Sequence, residues 1–382
     1  MMTNRERLLA ILNGQAPDRI PWIPRLLIWY NARMQTNTMP DRFRGMSLRE
    51  IERAVGVGAP ARNGHIFETE LRDVEVREHH TGRDTITEYT TPVGTVSFRT
   101  NLPPELERVG IQATEVEFLL KEPEDYDVLA FMTEHTVYHP TYEAYLDYEA
   151  EIGDDGLPMV QCGDCPFHHF LRKFAGYNQA YFELADRPQQ VERLLALMTD
   201  HDETHLWPVV AESPAQLILH GAHFSSQMTP PSLFRQHIIP YYQRFSEQLH
   251  ARGKTLALHA DNDTGALLPL IREAGYDMVE CFITAPMVDL TLAEARAAWG
   301  NDMIIWGGVP SVLLDESISD EEFEREMAGI FDAIAPGKAF ILGVADNAMP
   351  EAKIERVERI SELVEARGNY PVQPLPESVS VA

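Results

Sequence analysis

The sequence predicts an α/β fold, a (β/α)8 TIM barrel with N-terminal helical and β-hairpin additions. Three observations carry that prediction. From residue 157 onward, apolar runs of strand length alternate with helix-length amphipathic segments, the pattern of a parallel sheet covered by helices. The runs end in polar residues, as barrel strands do where they open into the mouth. The chain has 382 residues, too many for one small core and enough for a single barrel with additions. The expected domain is residues 1–368, followed by a tail at 369–382.

Composition excludes several function classes. Against 32 Lys+Arg stand 59 Asp+Glu, a net charge of −27, which disfavours nucleic acid and anionic membrane surfaces as partners. Three cysteines make a disulfide framework implausible and fit a reducing cytoplasm. The N-terminus lacks a signal-peptide core, and no apolar run has the length of a membrane span.

In chain order, Thr3 and Glu6 are spaced as a capping box for a first amphipathic helix. The proline-rich segment Ala16 to Pro24 cannot be helical and leads into Arg25-Leu-Leu-Ile-Trp29, a candidate first barrel strand. A helix is expected over Ser47–Val55. Gly56-Val-Gly-Ala-Pro-Ala61 imitates a dinucleotide loop but follows a helix and contains Pro60, so it is rejected. Alternating β-type residues over Val74–Glu78 and Thr85–Phe98 predict antiparallel hairpins at about 70–100.

Helical segments follow at Pro123–Thr133 and Pro140–Ile152. The main strands are expected at Leu157–Cys162, Gln216–His220, Thr255–His259, Met278–Phe282, Met303–Trp306 and Ala339–Leu342. Helices are expected between and after them at Pro188–Ala211, Pro230–Ala251, Ala266–Ala274, Leu290–Trp299, Asp320–Ile334 and Glu351–Ala366. Three prolines and no periodicity make the tail extended or partly disordered.

One strand organises the chemistry. In Lys254-Thr-Leu-Ala-Leu-His-Ala-Asp-Asn-Asp263 an apolar run ends abruptly in polar residues, and alternation puts His259 and Asp261 on one side. They read either as a metal or catalytic site or as loop polars, with Asp263 or Thr264 capping the next helix.

Several segments together resemble the uroporphyrinogen decarboxylase superfamily, and within it the corrinoid-dependent methyltransferase and O-demethylase branch. They are Glu117-Phe-Leu-Leu-Lys-Glu-Pro-Glu-Asp-Tyr-Asp127, Gly221-Ala-His-Phe-Ser-Ser-Gln227, Thr229-Pro-Pro-Ser-Leu-Phe-Arg235, His259-x-Asp261, Ile305-Trp-Gly-Gly-Val309 and Phe340-Ile-Leu-Gly343 through Pro350. The resemblance implies a TIM barrel with its site at the C-terminal strand ends. Its methyltransferases hold zinc through a His-x-Cys pair, a glutamate and a distal cysteine. Carried over, these become His259, Asp261, Glu280 and Asp346, so carboxylates stand in place of both thiolates. The decarboxylases' arginine-rich motif is reduced here to Arg25.

A harder, more oxygen-rich site suits Lewis-acid activation of an oxygen better than activation of a thiol. The implied reaction is therefore O-demethylation, in which a methoxylated aromatic gives its methyl to the cob(I)alamin of a partner corrinoid protein. The metal is zinc or another divalent ion. No Asp-x-His-x-x-Gly cobalamin signature is present, since Arg77 precedes His79-His-Thr-Gly82 where the aspartate belongs, so the corrinoid comes from another chain. His223 and His168 are the candidate acids, with His65 and Tyr30 as further possibilities. Trp22, Tyr30, His65, Cys165, Phe167, Trp306 and Asn262 are the candidate substrate contacts. A decarboxylase, and a non-catalytic tetrapyrrole- or corrinoid-binding barrel, are the alternatives.

Two further features read as structural. Cys162-Gly-Asp-Cys165 lacks a second ligand pair for a zinc knuckle. Cys281, next to Glu280, is expected on the opposite face of its strand as a packed thiol.

Overall fold

The computed structural model describes residues 1–374. The first helix, Asn4–Leu12, starts at the expected capping box: Thr3 Oγ accepts from Glu6 N (3.1 Å), and the Glu6 carboxylate accepts from Thr3 N (2.8 Å). Thr3→Ala removes one half of that exchange. It is expected to lower stability by about 1 kcal/mol, read as a shift in the urea midpoint at unchanged slope.

β1 (Phe67–Leu71) leads into an antiparallel meander of β2 (Glu75–Thr81), β3 (Asp84–Thr91), β4 (Gly94–Asn101) and β5 (Thr114–Glu117), and it pairs back with β6 (Thr136–Pro140). Six parallel strands follow in sequence order: β7 (Met159–Gln161), β8 (Leu217–Ala222), β9 (Thr255–His259), β10 (Met278–Phe282), β11 (Ile304–Val309) and β12 (Phe340–Val344). All overlap their expected positions, with ends within a residue or two except that β11 runs three residues further, to Val309.

The ring between β12 and β7 is completed by two irregular segments. Ile23 N donates to Leu342 O (2.8 Å) and Leu342 N to Pro21 O (2.9 Å), so residues 21–23 run alongside β12. Gly58 N donates to Trp22 O (3.0 Å), Met159 N to Ala61 O (2.9 Å), and Gly64 bridges in parallel to Val160. These two segments occupy the first two strand positions of an eight-membered barrel. Pro21, Pro24 and Pro60 each remove an N–H donor, which keeps the ladders here to isolated bridges.

The expected strand Arg25–Trp29 is therefore corrected: Leu27–Gln35 is a helix, and residues 21–23 take the strand position. Leu26, Trp29 and Ala32, three apart, are its buried stripe. A short apolar run alone does not distinguish strand from helix.

Both sheet faces are buried, as in all-parallel sheets. Met159, Leu217, Leu219, Ala257, Met278, Trp306 and Ile341 fill the barrel, while Ile218, Leu256, Leu258 and Val279 face the helical layer. Leu8 and Ile11 of the first helix join the interior cluster and plug the barrel at the N-terminal strand ends. The C-terminal strand ends are left to polar chemistry.

Within the described part of the tail, Tyr370 N donates to Asp18 O (3.1 Å), Val372 N donates to Pro336 O (3.0 Å), and Val372 is buried; 375–382 lie outside the described residues. No helix among the described residues is long and apolar enough to cross a membrane.

Candidate metal centre

β9 delivers His259 at its last position, in register with Glu280 on β10. Neighbours in a parallel ladder project to the same side, and His259 Nδ1 meets Glu280 Oε2 at 2.6 Å. Two residues on, Asp261 lies on the same side, with Oδ2 3.4 Å from His259 Nε2. Just past β8, His223 anchors to β9 through its N–H to His259 O (3.1 Å), and its Nδ1 meets both Asp261 oxygens at 2.7 Å. The two imidazole rings stand edge to face, 5.2 Å apart.

A bulge brings in a residue that strand alternation excludes. Pairing between β10 and β11 slips between Glu280 and Phe282, and Cys281 takes a left-handed φ of 55°. Its thiol thereby turns to the Glu280 side, with Sγ 3.1 Å from Glu280 Oε1 and 3.4 Å from Asp346 O. The expectation of an opposite-facing core thiol is corrected: Cys281 is buried, but in the site.

Arg25 and Arg62 arrive from the two irregular barrel segments. Arg25 donates to Asp346 Oδ1 (3.0 Å) and to Cys281 Sγ (3.2 Å), and Arg62 pairs with Glu280 Oε1. Of seven non-glycine residues with positive φ among the described residues, three are His223, Cys281 and Asp346. Such strain persists where surrounding structure over-determines it, and it clusters at functional sites.

Electrostatics follow from this crowding. Burial opposes charge on His259, but the Cys281 sulfur, the Glu280 carboxylate and the hydrogen bond to Asp261 lift its pKa well above the ordinary histidine value. Burial likewise opposes charge on Glu280, yet Arg62 and His259 hold its carboxyl well below the usual range. Asp261 is also held down, as the hydrogen bonds from His223 and His259 outweigh its burial. Three acidic side chains thus face two guanidiniums and one imidazolium.

The donor set fits a divalent ion. One donor atom from each of His223, His259 and Asp261 lies within 4.8 Å of the other two, and the same holds for His259, Cys281 and Asp346. Two imidazoles with a carboxylate suit zinc or a harder divalent ion, and an N, S, O set suits zinc. Glu280 belongs to neither set. Its carboxylate fixes the His259 ring through Nδ1, leaving Nε2, the nitrogen facing Asp261, as the ligand atom.

The four ligands carried over by resemblance therefore gather around His259 but do not form one shell. Asp261 and Asp346 fall in different sets, and His223, expected as an acid, joins the first. Among the candidate substrate contacts, Asn262 lies at the cluster, with Nδ2 3.5 Å from Asp261 Oδ1. Trp306 is in register with Glu280 on the neighbouring strand, and none of the others is in a donor set. Trp306 fills the barrel and donates to Ile23 O (3.0 Å), Trp22 and Cys165 are core, and Phe167 stacks on His237. Tyr30 lies 3.4 Å from Met46 O, and His65 is exposed. His168 is buried, with Nε2 3.3 Å from the Tyr177 hydroxyl and Nδ1 3.4 Å from Asp164. Burial outweighs Asp164 and lowers its pKa, favouring the neutral imidazole.

Arg62 is the participant the sequence reading omitted. It lies in a loop with no strand pattern to aim it.

A cavity of about 610 Å³ lies between the meander and the barrel, bordered by Gln161 to Asp164 at the end of β7. Asp202 lines it, in a π-helical turn, Asp202–Leu206. Burial, with Glu203 nearby and against the hydrogen bond from Tyr241, pushes the Asp202 pKa from 3.8 to about 7. The folded state therefore holds a proton that the unfolded chain releases, so this stabilisation is lost as pH rises from about 4 to about 7. Asp202→Asn is expected to remove that loss, with the variant more stable at pH ~8 by on the order of 2–3 kcal/mol. Denaturation at the two pH extremes checks it.

A family model described as uroporphyrinogen decarboxylase (URO-D) matches residues 96–367. The fold is similar to that of a methyltransferase from Methanosarcina mazei, with a TM-score of 0.56 at 13% identity over 96% of this chain and 99% of that one. An octameric ribulose-1,5-bisphosphate carboxylase/oxygenase from Pyrococcus horikoshii OT3 matches at TM-score 0.30 and 11% identity over 62% and 46% of the chains, too remote to carry weight. No curated protein matches the sequence significantly.

Proposed function

Because the chain belongs to the uroporphyrinogen decarboxylase family, we propose that it is a metal-dependent methyltransferase that demethylates a methoxylated aromatic onto the cob(I)alamin of a partner corrinoid protein. The observation that carries this reading is the convergence of His223, His259 and Asp261 at the barrel mouth, with Glu280 fixing the His259 ring. The fold shared with a methyltransferase supports it. His223, His259 and Asp261 would hold a divalent ion, which when bound would supply Lewis acidity toward the ether oxygen.

The chain's own residues do the rest. Glu280 and Arg62 orient His259, and Arg25 orients Asp346 and Cys281. The His168–Tyr177 pair is the proton source assigned to the departing phenolate, with the Tyr177 hydroxyl as the outer member. Asn262 beside Asp261 is the polar substrate contact.

Against the decarboxylase alternative stands the pairing of the mouth arginines. Arg25 and Arg62 are paired with Asp346, Cys281 and Glu280, so neither is an uncompensated cation awaiting a polycarboxylate. Elemental analysis of the purified protein tests the reading. About one divalent ion per chain is expected, lost in His259→Ala, and metal-loaded protein is expected to demethylate methoxyarenes with cob(I)alamin and its carrier protein. A chain that takes up no ion from added zinc would refute it.

A further inference from the structure

We propose that the cavity between the meander and the barrel is a second binding site, separate from the metal centre, for a small neutral arene carrying a hydroxyl group. The inference does not depend on the methyltransfer reading. The cavity, about 610 Å³, has the size of small-molecule sites, which run roughly 300–1,000 Å³. Phe67, Tyr89, Phe98, Tyr138 and Phe174 place five aromatic rings on its wall from separate elements. Aromatic walls favour a flat ring through stacked and edge contacts over an aliphatic one of the same size.

The backbone is shaped toward this cavity. Of the three π-helical segments among the described residues, Phe170–Phe174 contributes Lys173 and Phe174 to it, and Asp202–Leu206 contributes Asp202 and Leu206. A π turn re-aims side chains at a cost in helix geometry and is frequent at functional sites.

The polar groups select the ligand. Asp164 is occupied by Arg172 (2.7 Å) and by the Ala222 N–H (2.9 Å), and Glu115 is paired with Lys173. Asp202 Oδ2 accepts from the Tyr241 hydroxyl (2.9 Å). Asp202 and Tyr138 both line the cavity, and neither Asp202 Oδ1 nor the Tyr138 hydroxyl has a hydrogen-bond partner among the described residues. A ligand hydroxyl can donate to Asp202 Oδ1 and accept from Tyr138, which completes both. Asp164 and Glu115 are already paired with Arg172 and Lys173, so neither leaves an uncompensated charge for an ionic ligand, and the wall favours a neutral one.

Calorimetric titration of the full chain tests this with phenol as probe and cyclohexanol, benzene and tetramethylammonium as comparisons. Phenol is expected to bind saturably at one site, with each comparison at least about tenfold weaker. Asp202→Leu is expected to weaken phenol about tenfold, and Tyr138→Phe gives an independent reading should Asp202→Leu fail to fold. His259→Ala is expected to bind phenol unchanged, which separates this site from the metal centre. The proposal is overturned by phenol binding no tighter than cyclohexanol or the cation, by phenol affinity indifferent to both cavity variants, or by its loss in His259→Ala.

Discussion

Glu280→Ala is expected to destabilise the fold by about 3–5 kcal/mol. Glu280 is buried between Arg62 and His259, and its removal leaves a guanidinium and an imidazolium in a low-dielectric site without their counter-charge. The loss reflects those stranded charges more than the net worth of the ion pairs. Glu280→Gln keeps the shape and an acceptor oxygen, so it is expected to fall between alanine and the parent in a guanidinium melt. Metal affinity gives a separate reading. With Glu280 orienting His259, alanine is expected to weaken zinc binding about 10- to 100-fold. Complete loss of zinc from a folded Glu280→Ala protein would instead make Glu280 a direct ligand, as the resemblance implies.

The second large effect is on activity. Asp261→Ala is expected to lower methyl transfer by roughly a thousandfold, several kcal/mol of transition-state stabilisation. Asp261 is the only carboxylate in the first donor set, and both histidines of that set lean on it. Single-turnover methylation of cob(I)alamin on its carrier, compared at equal metal loading, is the appropriate measurement. A variant that keeps its metal and its rate would remove Asp261 from the mechanism. In that case the His259, Cys281 and Asp346 set becomes the working one.

Much of the fold was legible because it rests on local pattern. The six strands from β7 to β12 appear as short apolar runs because their two faces are both buried, and the helices between them carry a 3.6-residue stripe. The first two barrel positions were illegible for the converse reason. Their prolines suppress the ladder that defines a strand, and the ring closes on isolated hydrogen bonds between residues distant in sequence.

The site divides the same way. His259 and Asp261 follow from alternation along one strand. Cys281 breaks alternation through a bulge whose cause is the register between β10 and β11, a property of two strands at once. His223 turns inward through a left-handed backbone that nothing at a histidine announces. Arg62 is aimed only once its loop runs beside β7.

The two irregular segments act as a clasp. The six-stranded sheet is hydrogen-bonded without them, but Arg25 and Arg62, the guanidiniums that compensate Asp346 and Glu280, are both carried near them. Fastening the clasp and neutralising the site are therefore one event, and a chain with the clasp undone holds an acidic, unbalanced mouth on an otherwise paired sheet. Selection for a charge-balanced metal centre and selection for a closed ring act on the same few residues.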